Sequence, residues 1–261
     1  MTNKIQVPKF VQKEFFPKRT DYCLCIPVIN EGDKIKKQII EMKSISNLVD
    51  IIICDGGSTD GSLESQFLIE NNISVLLTKT DIGKLSAQLR MGYFYALNRG
   101  YKGIITIDGN GKDNVSEVPL FIKELENGYD LLQGSRFIKG GKAINTPISR
   151  LLAIKLIHAP FISILAGFNY TDTTNGFRGY SKKYLTDDRV QPFRDIFSTY
   201  ELLAYLSVKA PRLKFKVKEV PVERKYPLDG KIPTKIKGIK GNIALVKILI
   251  QLALGKYEPK K

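Results

Sequence analysis

Residues able to handle charged ligands concentrate in three short polar stretches. In Asp108-Gly109-Asn110-Gly111-Lys112-Asp113, two carboxylates, an amide and a lysine crowd into six residues directly after an apolar run. Oxygen donors at this density suit a hard divalent cation, Mg or Mn, which neutralises a diphosphate and stabilises it as a leaving group. Lys112 offers a second source of the same positive charge, and Asp113 could instead cap a helix starting near Val115. The second stretch, Asp55-Gly56-Gly57-Ser58-Thr59-Asp60, places a carboxylate where it can accept hydrogen bonds from a base or ribose; the same residues also suit an ordinary Asx turn. The third is Pro27-Val28-Ile29-Asn30-Glu31.

Each stretch follows a strand-like run, and strands must alternate with helices to hold them together. Apolar runs at Cys23 to Val28, Asp50 to Cys54, Ile73 to Leu77, Gly103 to Ile107 and Asp130 to Gln133 read as strands. Helical periodicity covers Asp33 to Ser46, Lys84 to Asn98 and Val115 to Asn127. The pattern predicts an α/β fold with a mostly parallel sheet, whose binding crevice lies at the carboxyl ends of the strands. A further helix is expected from Phe197 to Val208 and a strand from Phe215 to Glu223.

The chain has 261 residues, 43% of them hydrophobic, which excludes a disordered chain and predicts one large core. Its net charge of +15 favours phosphate-rich partners. From Lys209 to Lys261 there are 15 lysines and arginines against 4 acids, so the excess gathers at the end of the chain. Cys23, Cys25 and Cys54 lack metal-ligand spacing and read as reduced core residues. His158, the single histidine, reads as structural. Ser149 to Phe168 is nearly all apolar, yet its charges leave it short of the roughly 18 uncharged residues that cross a bilayer. A last helix, capped by Asn242 and stopped by Gly255, is apolar from Ile243 to Leu254 except for Lys247 and Gln251. It either packs on the core or lies in a membrane interface.

Taken in order, Pro27-x-x-Asn30-Glu31, Asp55-Gly-Gly-Ser58 and Asp108-x-Asn110 resemble the nucleotide loop, second-strand aspartate and metal motif of family 2 glycosyltransferases. Gly134-Ser135-Arg136-Phe137, Gly140-Gly141, Arg150 and Asp172-x-Thr174-x-Gly176-Phe177-Arg178 are similar to the dolichol-phosphate mannose synthase branch. The resemblance implies the GT-A fold, a Rossmann-like three-layer α/β/α domain over residues 21–240. A basic N-terminal extension (1–20) precedes it, and an amphipathic basic C-terminal helix and tail (241–261) follow. It further implies that Pro27, Asn30, Glu31, Asp55 and Lys84 serve the nucleotide, and that Asp108 and Asn110 handle the metal and diphosphate. Arg136 and Arg150 would take an acceptor phosphate, Asp172 would orient the acceptor or assist proton transfer, and Arg224 and Lys235 would clamp the diphosphate. Glu201 stands where a further family carboxylate recurs; a solvated helix face is its other reading. The departures are Asn110 and Lys112, where the branch carries a second acid and, two positions on, a glutamine.

The expected activity is therefore inverting transfer of a sugar from a UDP- or GDP-linked donor to a polyprenyl phosphate. A saccharide or glycolipid acceptor in surface-polysaccharide synthesis is the alternative within the class. Outside it stands a non-catalytic nucleotide- or nucleic-acid-binding module, although no nucleic-acid recognition motif is present. The expected location is cytoplasmic, peripheral at the inner face of the membrane. Sugar, base, lipid length and oligomeric state are not written in these residues.

Overall fold

A computed structural model describes residues 5–227 and 238–259. The first half contains β1 (Phe10–Glu14), β2 (Tyr22–Val28), α1 (Asp33–Met42), β3 (Asp50–Asp55), α2 (Ser65–Glu70), β4 (Val75–Lys79), α3 (Leu85–Asn98), β5 (Gly103–Thr106) and α4 (Val118–Glu126). The second half contains β6 (Leu131–Ser135), β7 (Lys142–Ile144), α5 (Ile148–Ala153), α6 (Ala159–Ala166), β8 (Arg178–Ser181), α7 (Lys182–Leu185) and α8 (Glu201–Arg212). It ends with β9 (Val217–Pro221), β10 (Glu223–Lys225) and α9 (Gly238–Ala253).

Eight strands form one sheet in the order β1-β4-β3-β2-β5-β8-β6-β9. The pairs β4-β3, β3-β2, β2-β5 and β6-β9 are parallel, while β1 and β8 run against their neighbours. Period-two alternation splits the strand residues between two cores. Leu24, Ile26, Ile51 and Ile53 face α1, α2 and α4; Cys23, Cys25, Ile52 and Cys54 face α3, α6, α8 and α9. This is the expected three-layer α/β/α domain. The three cysteines are buried and free, as read from the sequence. A Cβ at Gly92 would lie 2.4 Å from the Cys54 sulfur, so glycine lets α3 close onto the sheet there.

Several boundaries differ for identifiable reasons. Phe10–Glu14, within the stretch read as an N-terminal extension, pairs with β4 as the edge strand. The Phe197 to Val208 helix starts only at Glu201, because the Ser198 and Thr199 carbonyls accept the amides of Lys84 and Ser86 at 2.7 and 2.8 Å. The strand after Phe215 breaks beyond Pro221, and β10 pairs instead with β7 in a separate two-stranded ribbon. Asn114, not Asp113, caps the turn at Val115, accepting the Ser116 amide at 3.1 Å. Asn242 falls inside α9, which is already helical at Gly238; Gly255 does stop the helix, at φ 69°.

The apolar stretch at Ser149 forms a continuous helix, Ile148–Ala166, through a π segment at Ile154–His158. Contrary to the sequence expectation, it is long and apolar enough by length and composition to cross a membrane, because two charges fit within its span. Only 17% of its apolar window is buried. In α9, Ile248, Leu249 and Leu252 enter the core while Ile243, Val246, Ile250 and Leu254 remain exposed, so one face packs and the other does not.

Candidate active site

The carboxyl ends of β2, β3 and β5 open into a cleft of about 1090 Å³. Of the sequence candidates, Pro27, Glu31, Lys84, Asp108, Asn110, Lys112, Arg150 and Arg224 line it. Asn30, Asp55, Arg136, Asp172 and Glu201 are not part of its wall, and Lys235 lies outside the described residues. The wall away from the strand ends is apolar, built by Ile154 and Ile157 of the long helix and Leu245, Val246 and Leu249 of α9.

Asn30 and Asp55 hold together the loops that follow β2 and β3. Asn30, at φ 47°, accepts the Thr59 amide at 2.8 Å, and its own amide donates to the Ser58 hydroxyl at 3.0 Å. Asp55 Oδ1 accepts the Ser58 amide and hydroxyl at 2.9 and 2.7 Å, which is the Asx-turn arrangement. Glu201 likewise closes a local turn, accepting the Thr199 amide at 2.7 Å.

The acidic loop is held by one buried arginine. Arg224 Nη2 donates to Asp108 Oδ2 at 2.6 Å, and its Nη1 donates to Asp113 Oδ1 and to Asn175 Oδ1. The Asp108 amide donates to Asp113 Oδ2 at 3.2 Å, and the Lys225 amide donates to the Lys112 carbonyl at 2.9 Å, stitching the loop to β10. Burial pushes the Asp108 carboxyl up, but Arg224 and Lys112 outweigh it and hold it below the usual carboxylate range. For Asp113 burial prevails, helped by Asp108, and its carboxyl is raised. Burial, with Arg224 nearby, brings the Lys112 ammonium down to about 8, so it remains mostly charged at neutral pH. Gly176 presses on the same carboxylate: a Cβ there would lie 2.3 Å from Asp108 Oδ1.

Arg136 and Asp172, expected to address the acceptor, form a buried bidentate pair at 2.6 and 2.9 Å. Their side chains are 1% and 0% exposed. Arg136 Nη2 also donates to Thr174 Oγ1 at 3.0 Å, so the pair anchors the segment leading into β8. Arg150 does reach the cleft, donating to the Tyr226 hydroxyl at 3.2 Å with its guanidinium 5.7 Å from the ring centre. The Lys112 ammonium sits 5.0 Å from the same ring. Burial raises the Tyr226 hydroxyl, but Arg224, Arg150 and Lys112 together pull it below its ordinary value.

Sequence reasoning missed four supporting residues. Gln88 donates to the Val28 and Cys54 carbonyls at 2.7 and 2.9 Å, and Gln38 bridges the Asp108 carbonyl and the Gly111 amide, both at 3.0 Å. A glutamine on the apolar face of α1, beside Ile35, Ile39 and Met42, was the available signal for the second. Tyr226, which receives Arg150 and lies under Lys112, carries no signal in the sequence reading. Arg178, fully buried, donates to the Thr173 and Leu203 carbonyls and the Ser207 hydroxyl, fastening the segment ahead of β8 to α8. His158 Nδ1 meets Thr173 Oγ1 at 2.6 Å; burial first, then Arg178, brings the imidazole down to about 4 and keeps it neutral.

The residues present fit a divalent cation poorly. Among the described residues no group of three or more His, Cys, Asp or Glu side chains converges. Asp108 is already engaged by Arg224, Asp113 is engaged through both oxygens, and Lys112 adds positive charge beside them. Asn110 Oδ1 is buried without a hydrogen-bond partner, and a single amide oxygen is a weak ligand set for Mg or Mn.

No family model matches the chain. It is 26% identical over 200 residues to the undecaprenyl-phosphate mannosyltransferase of Micrococcus luteus, covering 76% of this chain and 80% of that one. The polyprenol monophosphomannose synthase of Mycolicibacterium smegmatis is also 26% identical over 200 residues, with 76% and 74% covered. Among solved structures, glucosyl-3-phosphoglycerate synthase of Mycobacterium tuberculosis, in complex with Mn2+, UDP and glucosyl-3-phosphoglycerate, superposes with a TM-score of 0.59 at 16% identity, covering 92% of this chain and 81% of that one. The fold, with polar loops gathered at one end of a mostly parallel sheet, is that of a GT-A glycosyltransferase. With the relatives named above, the chain is similar in sequence to polyprenyl-phosphate mannosyltransferases, in line with the resemblance to the dolichol-phosphate mannose synthase branch.

Proposed function

We propose that the protein transfers a sugar from a UDP- or GDP-linked donor to a polyprenyl phosphate, with inversion, at the cytoplasmic face of a membrane. One observation carries this reading: a single cleft joins the strand-end loops to Arg150 and then to an apolar wall made by two partly exposed helices. That sequence of surfaces matches a nucleotide, a phosphate and a lipid chain in order. The acceptor phosphate oxygen attacks the anomeric carbon as the bond to the diphosphate breaks, and its charge makes a strong general base dispensable. Arg150 places that phosphate; its guanidinium binds phosphate bidentately and keeps its charge in a half-buried site. Pro27, Glu31 and Lys84 border the nucleotide, with Asn30 and Asp55 shaping the loops behind them. Arg136 and Asp172 act indirectly, by fixing the segment that carries Thr173, Thr174 and Gly176. Arg224 serves the acidic loop, and Lys235 remains a proposed diphosphate contact from the resemblance alone.

A saccharide acceptor needs a base for its hydroxyl. The expected base, Asp172, is 0% exposed and committed to Arg136, which favours the phosphate acceptor. Peripheral membrane contact is part of the proposal: Ile148, Leu156, Ile164, Ile243 and Leu254 present an apolar surface near Lys155, Lys247 and Lys256. The test incubates the full chain with radiolabelled UDP- and GDP-sugars and a synthetic polyprenyl phosphate. Label should move into the organic phase as an acid-labile lipid product. Arg150→Ala should raise the acceptor KM about tenfold or more with donor affinity unchanged. Label confined to water-soluble glycan sinks the polyprenyl-phosphate reading.

A further inference from the structure

The acidic loop contains its own counter-charges. Arg224 clamps Asp108 and Asp113 with separate nitrogens, and the isolated bridge between Asp113 and Arg224 fixes the backbone on which the clamp depends. Lys112, only 5% exposed, is carried between the two acids and lines the cleft beside Asp108 and Asn110. Its carbonyl is tied to β10 and its ammonium lies over Tyr226, so its position belongs to the folded site. Two acids are thus balanced by two bases before any substrate arrives. A divalent cation added at Asp108 would meet a guanidinium 2.6 Å from one of that residue's oxygens and an ammonium on the same loop. At such separations like charges oppose each other.

We propose that Lys112 replaces the divalent cation, neutralising the diphosphate that leaves the sugar. The inference rests on the nucleotide-sugar reading above and specifies how that site works. In the step, a lone pair of the acceptor phosphate oxygen forms the new bond to the anomeric carbon. The electron pair of the old bond departs with the diphosphate, whose added charge the Lys112 ammonium meets by hydrogen bonding. No proton needs to move, and nothing is oxidised or reduced.

The test is calorimetric titration of UDP and of GDP into the full chain, in EDTA and then in Mn2+, for three proteins. Wild type should bind one nucleotide with affinities in the two buffers within about twofold. Lys112→Arg, which retains charge, should preserve binding in EDTA, and Lys112→Gln should lose at least about tenfold there while keeping its circular dichroism spectrum. Asn110→Asp with Lys112→Gln, which restores a second acid and removes the ammonium, should bind only with Mn2+. Binding by wild type that disappears in EDTA, or Lys112→Gln binding as wild type in EDTA, overturns the proposal and leaves sugar transfer standing. Failure of wild type to bind either nucleotide in both buffers overturns the nucleotide-sugar reading and this inference together.

Discussion

At the scale of single residues, the site is ruled by who already holds whom. Asp108 has one oxygen on Arg224 and the other against Gly176, whose missing side chain makes room for it. Gly176→Ala should displace the carboxylate; misplacing a reacting constellation by about 1 Å can cost on the order of a hundredfold in rate. Steady-state kinetics should register that loss in kcat while thermal melting stays close to wild type. Asp172 stands in a different position, because its partner Arg136 is as buried as it is. Asp172→Asn leaves a buried guanidinium uncompensated, and urea denaturation should show about 3–5 kcal/mol lost. Lost activity with unchanged stability would mean that Asp172 works on the substrate after all.

Elements set which groups feel water. The turn Val115–Glu117 ahead of α4 meets β10, and the Glu117 carboxylate accepts the Glu223 amide through both oxygens at 2.9 and 3.0 Å. Burial pushes its carboxyl up to about 7 from 4.5, with Glu223 and Asp113 adding to the rise and Lys142 opposing it. The folded state therefore binds more protons than the unfolded chain between these values, and stability falls as pH rises from 4.5 through about 7, then levels off. Glu117→Gln keeps an acceptor for the amide and should flatten that dependence, read as urea midpoints across the range. At the exposed helix Ile148–Ala166, Leu156 is 70% exposed, so Leu156→Glu should leave the fold intact. Flotation with anionic vesicles should lose about tenfold in binding, the order expected for one buried leucine side chain.

For the whole molecule, the net charge of +15 predicts that vesicle binding weakens as salt rises, whereas binding held only by apolar contact would not. The three-layer fold was legible in the sequence because buried strands such as Asp50–Asp55 announce themselves as apolar runs followed by glycine and acid. The edge strand Phe10–Glu14 was not, since four of its five residues are exposed and carry no core signature. Motif order found the cleft residues Pro27, Glu31, Lys84, Asp108 and Arg150, but spacing along a chain does not reveal pairing across it. Arg136 and Asp172 lie 36 residues apart, and Arg224 and Asp108 lie 116 apart, so only folding shows each charge spent on its partner. The antiparallel strand β8 carries one last consequence. Inserted between β5 and β6 and running against both, it begins at the rim where they end, with Arg178 in register with Thr106 and Gln133. The segment that ends at Arg178 is thus rooted at the middle of the sheet, wedged between β5 and β6, so the loops leaving those two strands share one anchor.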